Sequence, residues 1–548
     1  MGRWGVLAVL AAAQFLMVLD QAVMNVSISQ LVEDFDTTVT TIQVVIALYA
    51  LVMAGLMMTG GKLGDIWGRR RAFVIGLTIY AAGSALTAVS WSVPALMVGW
   101  SILEGIGAAL VLPALVALAA ARYSGPDRAV AYGVLGGVAG AGIAVGPILG
   151  GWVTTTLTWR VVFVGEVLIA LLVIVAALRL IQASPAERSG RGLDWVGSAL
   201  SATGLAVIVF GVLQASSWGW LEPRNSPIEP FGFSLTPFVV GAGLLVLYAF
   251  RDWERRREAR GEDPLVHFRL FQVPMLRGGL SMLLAQNLIL MGIFFTVPLY
   301  LQISQGLDAL DTGLHMLPAS VGLFVAALAG SALASRFAAR PIVRLGLVIL
   351  LLAAVMLLGT IDQELESGPF LAAMGVLGIG MGLVISQLGN VVQSAVGDAD
   401  RSEAGGLQFT AQQLGSSLGT ALLGAVVISG LLTAFSSNVE SNPALPADVK
   451  AAVGTALTGN VSFVASSEVE AAATEAGLDP ESVDTLVGDY EDSQLQALKL
   501  ALLFAGFIIV ASFLATRRLP TRLFSELESG SDPPVVEGSA VPAPATQE

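Results

Sequence analysis

No cysteine occurs in the 548 residues, histidine occurs twice, and charged residues make up only 13% of the chain. Without cysteine there is no disulfide scaffold, thiol nucleophile or thiolate metal centre. His267 and His315 stand alone, without a His-Glu-x-x-His pattern, so the sequence offers no reactive constellation for an enzyme, no metal site and no cofactor. Lys and Arg number 28, too few and too scattered for a nucleic-acid surface. No Gly-x4-Gly-Lys-Ser/Thr phosphate loop is present, so ATP is not the direct source of energy. A water-soluble domain needs about a quarter of its residues charged, and this chain has roughly half that share.

What it has instead is apolar length. Hydrophobic residues make up 55% of the chain and mean hydropathy is +0.77, so lipid is the expected solvent. Windows of about 19 residues predict fourteen membrane spans: 5–28, 42–60, 72–90, 94–120, 130–152, 160–181, 195–214, 235–251, 276–303, 309–334, 341–361, 368–392, 404–433 and 496–516. The first run contains Ala11-Ala12-Ala13 but is too long for a signal-peptide core. It reads as an uncleaved membrane helix.

Positive charge orients these spans. With the N-terminus inside, 24 of the 28 Lys and Arg fall on the cytoplasmic side; Arg160, Arg224, Lys450 and Lys499 do not. Both termini are therefore expected in the cytoplasm of a multi-pass plasma-membrane protein. The net charge of −13 is concentrated: residues 434–495 carry −10 and residues 519–548 carry −4, leaving the membrane body near neutral.

The polar stretches Ala183–Asp194 and Arg251–Asp263 set spans seven and eight apart. The expected organisation is an all-α polytopic fold with an N-terminal six-helix half (1–181), an inserted pair with its linkers (182–263) and a C-terminal six-helix half (264–518). Within the last half, 434–495 forms an external acidic loop, with short helices expected over 446–456 and 469–475 and a break at Leu478-Asp479-Pro480. The tail 519–548, rich in Pro, Ser, Gly and Glu, is expected to be disordered.

Two motifs carry most of the local signal. After span two comes Gly61-Lys62-Leu63-Gly64-Asp65-Ile66-Trp67-Gly68-Arg69-Arg70-Arg71, read as a tight cytoplasmic loop in which Asp65 caps a neighbouring helix. Span five holds Gly133, Gly142, Gly146-Pro147 and Gly150-Gly151, small residues whose spacing lets helices approach closely. The first resembles the loop signature of the major facilitator superfamily, and the second the antiporter motif of its exporters. Asp20 within Leu19–Val26, Tyr300-Leu301-Gln302 with Gly306, and Gln413-Leu414-Gly415 resemble the fourteen-helix drug:proton antiporter branch. The resemblance implies a major facilitator fold in which Gly61, Gly64, Asp65, Gly68, Arg69, Gly142, Gly146, Pro147, Gly150 and Gly151 govern conformational change. One departure stands out: Ser101-Ile102-Leu103-Glu104-Gly105 replaces the fourth-helix Arg-x2-Gln-Gly of the family, so an Asp20–Arg proton relay does not carry over.

A carboxylate at bilayer depth costs a few kcal/mol, which makes each one a candidate site. Asp20 in span one, Glu104 in span four and Glu166 in span six are the proton-coupling candidates, with hydrogen bonding of Asp20 to Gln21 or Asn25 as its plain structural role. His315, at a span end, is a lesser candidate as a pH sensor. Substrate contacts are expected from Gln14, Met24 and Asn25 of span one, Tyr49 of span two and Trp100 of span four. Gln286, Asn287, Phe294, Gln387 and Asn390 complete that set from the second half.

The expected function is secondary active export by a monomer: protons exchanged against an amphipathic or cationic small molecule, as in multidrug efflux and antibiotic resistance, from a bacterial plasma membrane. Membrane lipid is the other expected partner. One charge moved through 100 mV supplies about 2.3 kcal/mol, roughly a fiftyfold gradient. The alternative is export of a lipid or cell-envelope precursor using the acidic external loop. A membrane enzyme lacks its reactive groups, and a non-transporting sensor rests only on that same loop.

Overall fold

The computed structural model describes residues 4–123, 126–182, 192–334, 336–397, 400–447, 449–451, 453 and 463–522, and no strand forms among them. Among the described residues, thirteen helices are long and apolar enough to cross a bilayer. In lipid the backbone must satisfy its own hydrogen bonds, and helices do so within one segment. The N-terminal bundle comprises α1 (Gly5–Val26), short α2 (Ile28–Asp34), α3 (Val39–Trp67), α4 (Arg69–Ala88), α5 (Val93–Leu96), α6 (Gly105–Arg122), α7 (Pro126–Thr156) and α8 (Arg160–Leu180). A π-helix, Met97–Glu104, joins α5 to α6.

Next come α9 (Trp195–Trp218) and α10 (Thr236–Ala259). The latter is not among the thirteen apolar spans, because its last two turns are charged from Arg251 to Glu258. The remainder is α11 (Pro274–Leu299), α12 (Ala309–Leu333), α13 (Ala339–Thr360), α14 (Ser367–Ser394), α15 (Arg401–Ser441), α16 (Ser466–Glu475) and α17 (Pro480–Ala515). Short polar side chains start several of these. Asp194 accepts from Gly197 N at 2.9 Å, Asp308 from Asp311 N at 2.7 Å and Asp479 from Ser482 N at 3.0 Å.

Packing follows small residues. α4 lies against α6 and α8, α1 against α7 and α8, α12 and α13 against α14, and α11 against α15. α3 meets α15, α7 meets α12, and α9 leans on both α3 and α15 while pairing with α10. The outer faces are apolar because their solvent is lipid: α8 exposes Leu168, Leu171, Leu172, Val175 and Leu178, and α17 exposes Leu503, Phe507, Val510 and Leu514.

At the end of the bundle away from the termini, contacts between early and late helices are dense. A Cβ on Gly151 would stand 2.3 Å from the Ala309 carbonyl oxygen, so α7 and α12 touch backbone to backbone there. Gln302, in a second π-helix (Tyr300–Ser304), donates to the Val26 carbonyl at 2.8 Å and accepts from Ser29 N at 3.2 Å. Gln43 donates to the carbonyls of Thr420 and Ala421 at 2.9 and 3.2 Å. Leu310 N reaches the Thr155 hydroxyl at 3.2 Å.

Two expectations need correcting. The motif after span two is not a loop: α3 continues to Trp67, and the chain turns only at Gly68, whose φ of +93° suits glycine. Nothing from Gly61 to Trp67 breaks a helix. Asp65 lies 4.0 Å from Arg69 across the turn, and Arg69 donates to the Ala117 carbonyl at 3.2 Å.

Among its described residues, the acidic segment 434–495 is largely helical. α15 runs on to Ser441, α17 starts at Pro480, and the two extensions pair through Asn438–Ser493 at 2.9 Å and Asn442–Asp489 at 2.8 Å. Tyr490 packs edge-on to Phe435 and bonds the Val464 backbone. The short helix expected over 469–475 is there as α16, followed by a turn at Gly477 and the break before Pro480. The helix expected over 446–456 lies in part, and residues 523–548 wholly, outside the described residues.

A buried carboxyl cluster as candidate functional site

Asp20, Glu104 and Glu166 come from α1, the π-helix and α8, and the fold brings them together. One oxygen from each lies within 4.8 Å of the others, and no more than 1% of any of the three residues is exposed. The π-helix widens the turn around Trp100 and Glu104, a local geometry frequent at functional sites.

Each carboxyl has one oxygen held by a neutral donor. Trp100 Nε1 donates to Asp20 Oδ1 at 2.7 Å, and Thr87 Oγ1 to Glu104 Oε1 at 3.1 Å. Tyr80 and Ser84 donate to Glu166 Oε2 at 3.0 and 3.1 Å. The other three oxygens, Asp20 Oδ2, Glu104 Oε2 and Glu166 Oε1, are buried without a hydrogen-bond partner. Among the described residues no Lys or Arg forms an ion pair with any of the three.

Charge arithmetic limits what this cluster can hold. Two carboxylates 4.8 Å apart repel by about 3 kcal/mol at an effective dielectric of about 20. Three such pairs, added to the desolvation of each group, disfavour three simultaneous negative charges. The cluster therefore needs positive charge from outside, and it can take it as protons.

The surroundings are rigid. Tyr49 stacks on Trp100 with ring centroids 4.4 Å apart and planes 10° from parallel. Ser101 donates to the Val45 carbonyl at 2.8 Å and so ties the π-helix to α3. Gln21 and Asn25 do not partner Asp20 as expected: the Asn25 amide donates to the Gln21 carbonyl at 2.7 Å, and the Gln21 side chain points to Met53 and Gln413 of α3 and α15. A helical residue's next neighbours in sequence face other directions.

Around this centre the chain matches known proteins. The sequence model of the Major Facilitator Superfamily matches residues 10–420. The chain belongs to that superfamily. It is 31% identical over 430 residues to the tetracenomycin C resistance and export protein of Streptomyces glaucescens, covering 78% of this chain and 76% of that one. It is 32% identical to the probable actinorhodin transporter of Streptomyces coelicolor over 83% of this chain and 78% of that one. To the multidrug efflux pump LfrA of Mycolicibacterium smegmatis it is 30% identical, over 81% and 83%. Among solved structures, a bacterial homologue of the human lysosomal transporter Spinster, inward-facing and unoccupied, superposes with a TM-score of 0.59 at 15% identity, covering 94% of this chain and 97% of that one. This major facilitator protein is accordingly a multi-pass membrane transporter, not an enzyme.

The superfamily motifs have clear packing roles. Gly142, Gly146 and Gly150 lie along α7 against α1: a Cβ on Gly146 would stand 2.3 Å from that of Ala22. Pro147 and Gly151 turn instead to α12. Of the substrate-contact candidates, Tyr49 and Trp100 join the carboxyl cluster, while Met24 is buried and Gln14 half-buried on α1. In α11, Gln286 is buried and accepts from Asn287 Nδ2 at 3.0 Å, with its own Nε2 unpartnered; Phe294 is buried nearby in sequence. Gln387 donates to the Gly330 carbonyl at 2.8 Å, joining α14 to α12, and Asn390 is exposed. His315 hydrogen-bonds the Asp311 carbonyl and Ser367, at 2.8 and 3.3 Å.

The sequence reading missed Tyr80, Ser84 and Thr87. Their four- and three-residue spacing puts three hydroxyls on one face of the apolar α4, and that was the available signal.

Proposed function

We propose that this transporter is a proton-coupled antiporter exporting amphipathic or cationic small molecules, with Asp20, Glu104 and Glu166 as its coupling site. The observation that carries this is the cluster itself: three buried carboxyls, each with a free oxygen and none paired with a cation among the described residues. A group that takes up protons from one side and releases them to the other must be desolvated in at least one state and near other charges, and this cluster is both. The relatives' names, which speak of resistance to and export of tetracenomycin C, transport of actinorhodin and multidrug efflux, support a small-molecule cargo.

In this reading the chain crosses the membrane fourteen times, with α10 as the eighth span and both termini cytoplasmic. α1–α8 and α11–α17 are two six-span halves, and α9–α10 is the inserted pair beside the α3–α15 seam. The contacts through Gly151, Gln302 and Gln43 close the external end. The Gly142–Gly146–Gly150 face of α7 is the surface on which α1 pivots.

Sealed everted vesicles test this. Adding a lipophilic cation to wild type should release protons, and Glu104→Gln should abolish that release. Proton movement that is absent in wild type, or unchanged in Glu104→Gln, would refute the coupling assignment.

A second reading, export of a lipid or cell-envelope precursor, draws on the ordered, acidic pairing of α15 and α17 beyond the membrane. Neutralising Asp489, Glu491 and Asp492 separates the two. Drug efflux should persist under the first reading, whereas release of an envelope precursor should fail under the second.

A further inference from the structure

We propose that the three-carboxyl cluster also binds a hard metal cation of about sodium or calcium size, in competition with protons. The inference rests on the reading of this cluster as the coupling site and adds a second occupant to it.

Geometry comes first. One oxygen of each carboxyl lies within 4.8 Å of the others. Some point is therefore no farther than about 2.8 Å from all three (4.8 Å divided by √3), close to the 2.3–2.6 Å of calcium–oxygen bonds. The oxygens already engaged by Trp100, Thr87, Tyr80 and Ser84 hold the carboxyl groups in place, and three oxygens remain without a partner. A second feature points the same way. The Tyr49 hydroxyl is buried, makes no hydrogen bond of good geometry and lies against the Asp20 carboxyl, and stacking on Trp100 keeps its ring there. It offers a fourth, neutral oxygen.

Donor chemistry then narrows the occupant. Every available atom is a hard oxygen, with no imidazole or thiolate, so softer transition metals are not favoured. Magnesium, which gives up its water reluctantly, suits a fully buried pocket poorly. A monovalent or divalent cation among three carboxyls supplies the same charge that one or two protons supply, so each occupant excludes part of the other.

The test is equilibrium binding of radioactive sodium and calcium to the purified full-length protein, at constant ionic strength with choline and magnesium as competitors. Saturable binding of one cation is expected, resistant to choline and weakened at least tenfold by Glu104→Gln and by Glu166→Gln. Lowering the pH by one unit should weaken it up to tenfold. Each variant is first shown to elute as a single species that still binds a lipophilic cation, so that misfolding does not imitate loss of the site. No saturable binding, or binding untouched by the substitutions, overturns the inference. If binding fails while cargo-driven proton release persists in vesicles, only this inference falls. If the cation binds but no cargo moves protons, the antiport reading falls and the cation site stands.

Discussion

Replacing Gly151 by Ala should open the bundle at the end away from the termini. The added methyl would stand 2.3 Å from the Ala309 carbonyl oxygen and 2.8 Å from its carbon. Carbon–oxygen contacts settle at about 3.3 Å or more, so α7 and α12 must separate by about 1 Å. Overpacking of this kind costs about 1–3 kcal/mol, a population shift of roughly 5- to 150-fold away from the closed arrangement. The chain has no cysteine, so no background residue needs removal before a reporter pair is introduced. Thr155→Cys with Leu310→Cys spans the same contact, where the Leu310 amide now meets the Thr155 hydroxyl. Oxidative cross-linking of this pair should be slowed at least fivefold by Gly151→Ala. Gly165→Ala, with nothing within 4 Å of the new methyl, should leave the rate unchanged. Equal cross-linking in the Gly151→Ala protein and its parent would refute the claim that this glycine sets the closure.

Other outcomes follow from the same geometry. Trp100→Phe removes the hydrogen bond to Asp20, worth about 1.5–3 kcal/mol where an acceptor is charged; the melting temperature in detergent should fall by several degrees, and an unchanged value would count against the bond. Gln302→Leu deletes the bonds to Val26 and Ser29, at about 1 kcal/mol each, and should slow the Thr155–Leu310 cross-link by about tenfold or more. On the segment between α10 and α11, outside both spans, the hydrogen bond from His267 to Glu403 raises the histidine's pKa above 6.5, reinforced by the charges of Glu403 and Glu258 and opposed by partial burial and Arg269. The stability this pair contributes is full below about pH 6.5 and is lost as pH rises through the raised value. Melting temperature should drop over that window in wild type but not in His267→Gln, and parallel pH profiles would contradict the assignment.

Much of this arrangement is written in local sequence, and the parts that are not have a common cause. Apolar run length gives the spans because each helix solves its backbone hydrogen bonding alone, and the small-residue spacing of Gly142, Gly146 and Gly150 already marks a face of close approach. Helix ends are harder. Gly61–Trp67 looks like a loop because glycine and charge cluster there, yet a packed partner on α6 keeps it helical. The extensions of α15 and α17 look like a loop because they are polar, yet each covers the other. The carboxyls are visible one by one as misplaced charges, but their meeting is a tertiary fact. Asp20 and Glu166 are 146 positions apart, and the π-helix that carries Glu104 has no signature in the run Met97–Glu104. The indole of Trp100, read as a cargo contact, turns out to hold Asp20.

The account's central claim is that cargo and protons exchange through these three carboxyls. The direct measurement is the number of protons released when the purified protein binds a lipophilic cation in weakly buffered solution. Wild type should release at least one proton per cation bound, and the triple variant Asp20→Asn, Glu104→Gln, Glu166→Gln should bind the cation and release none. Binding by wild type without release, or equal release from both proteins, would contradict it.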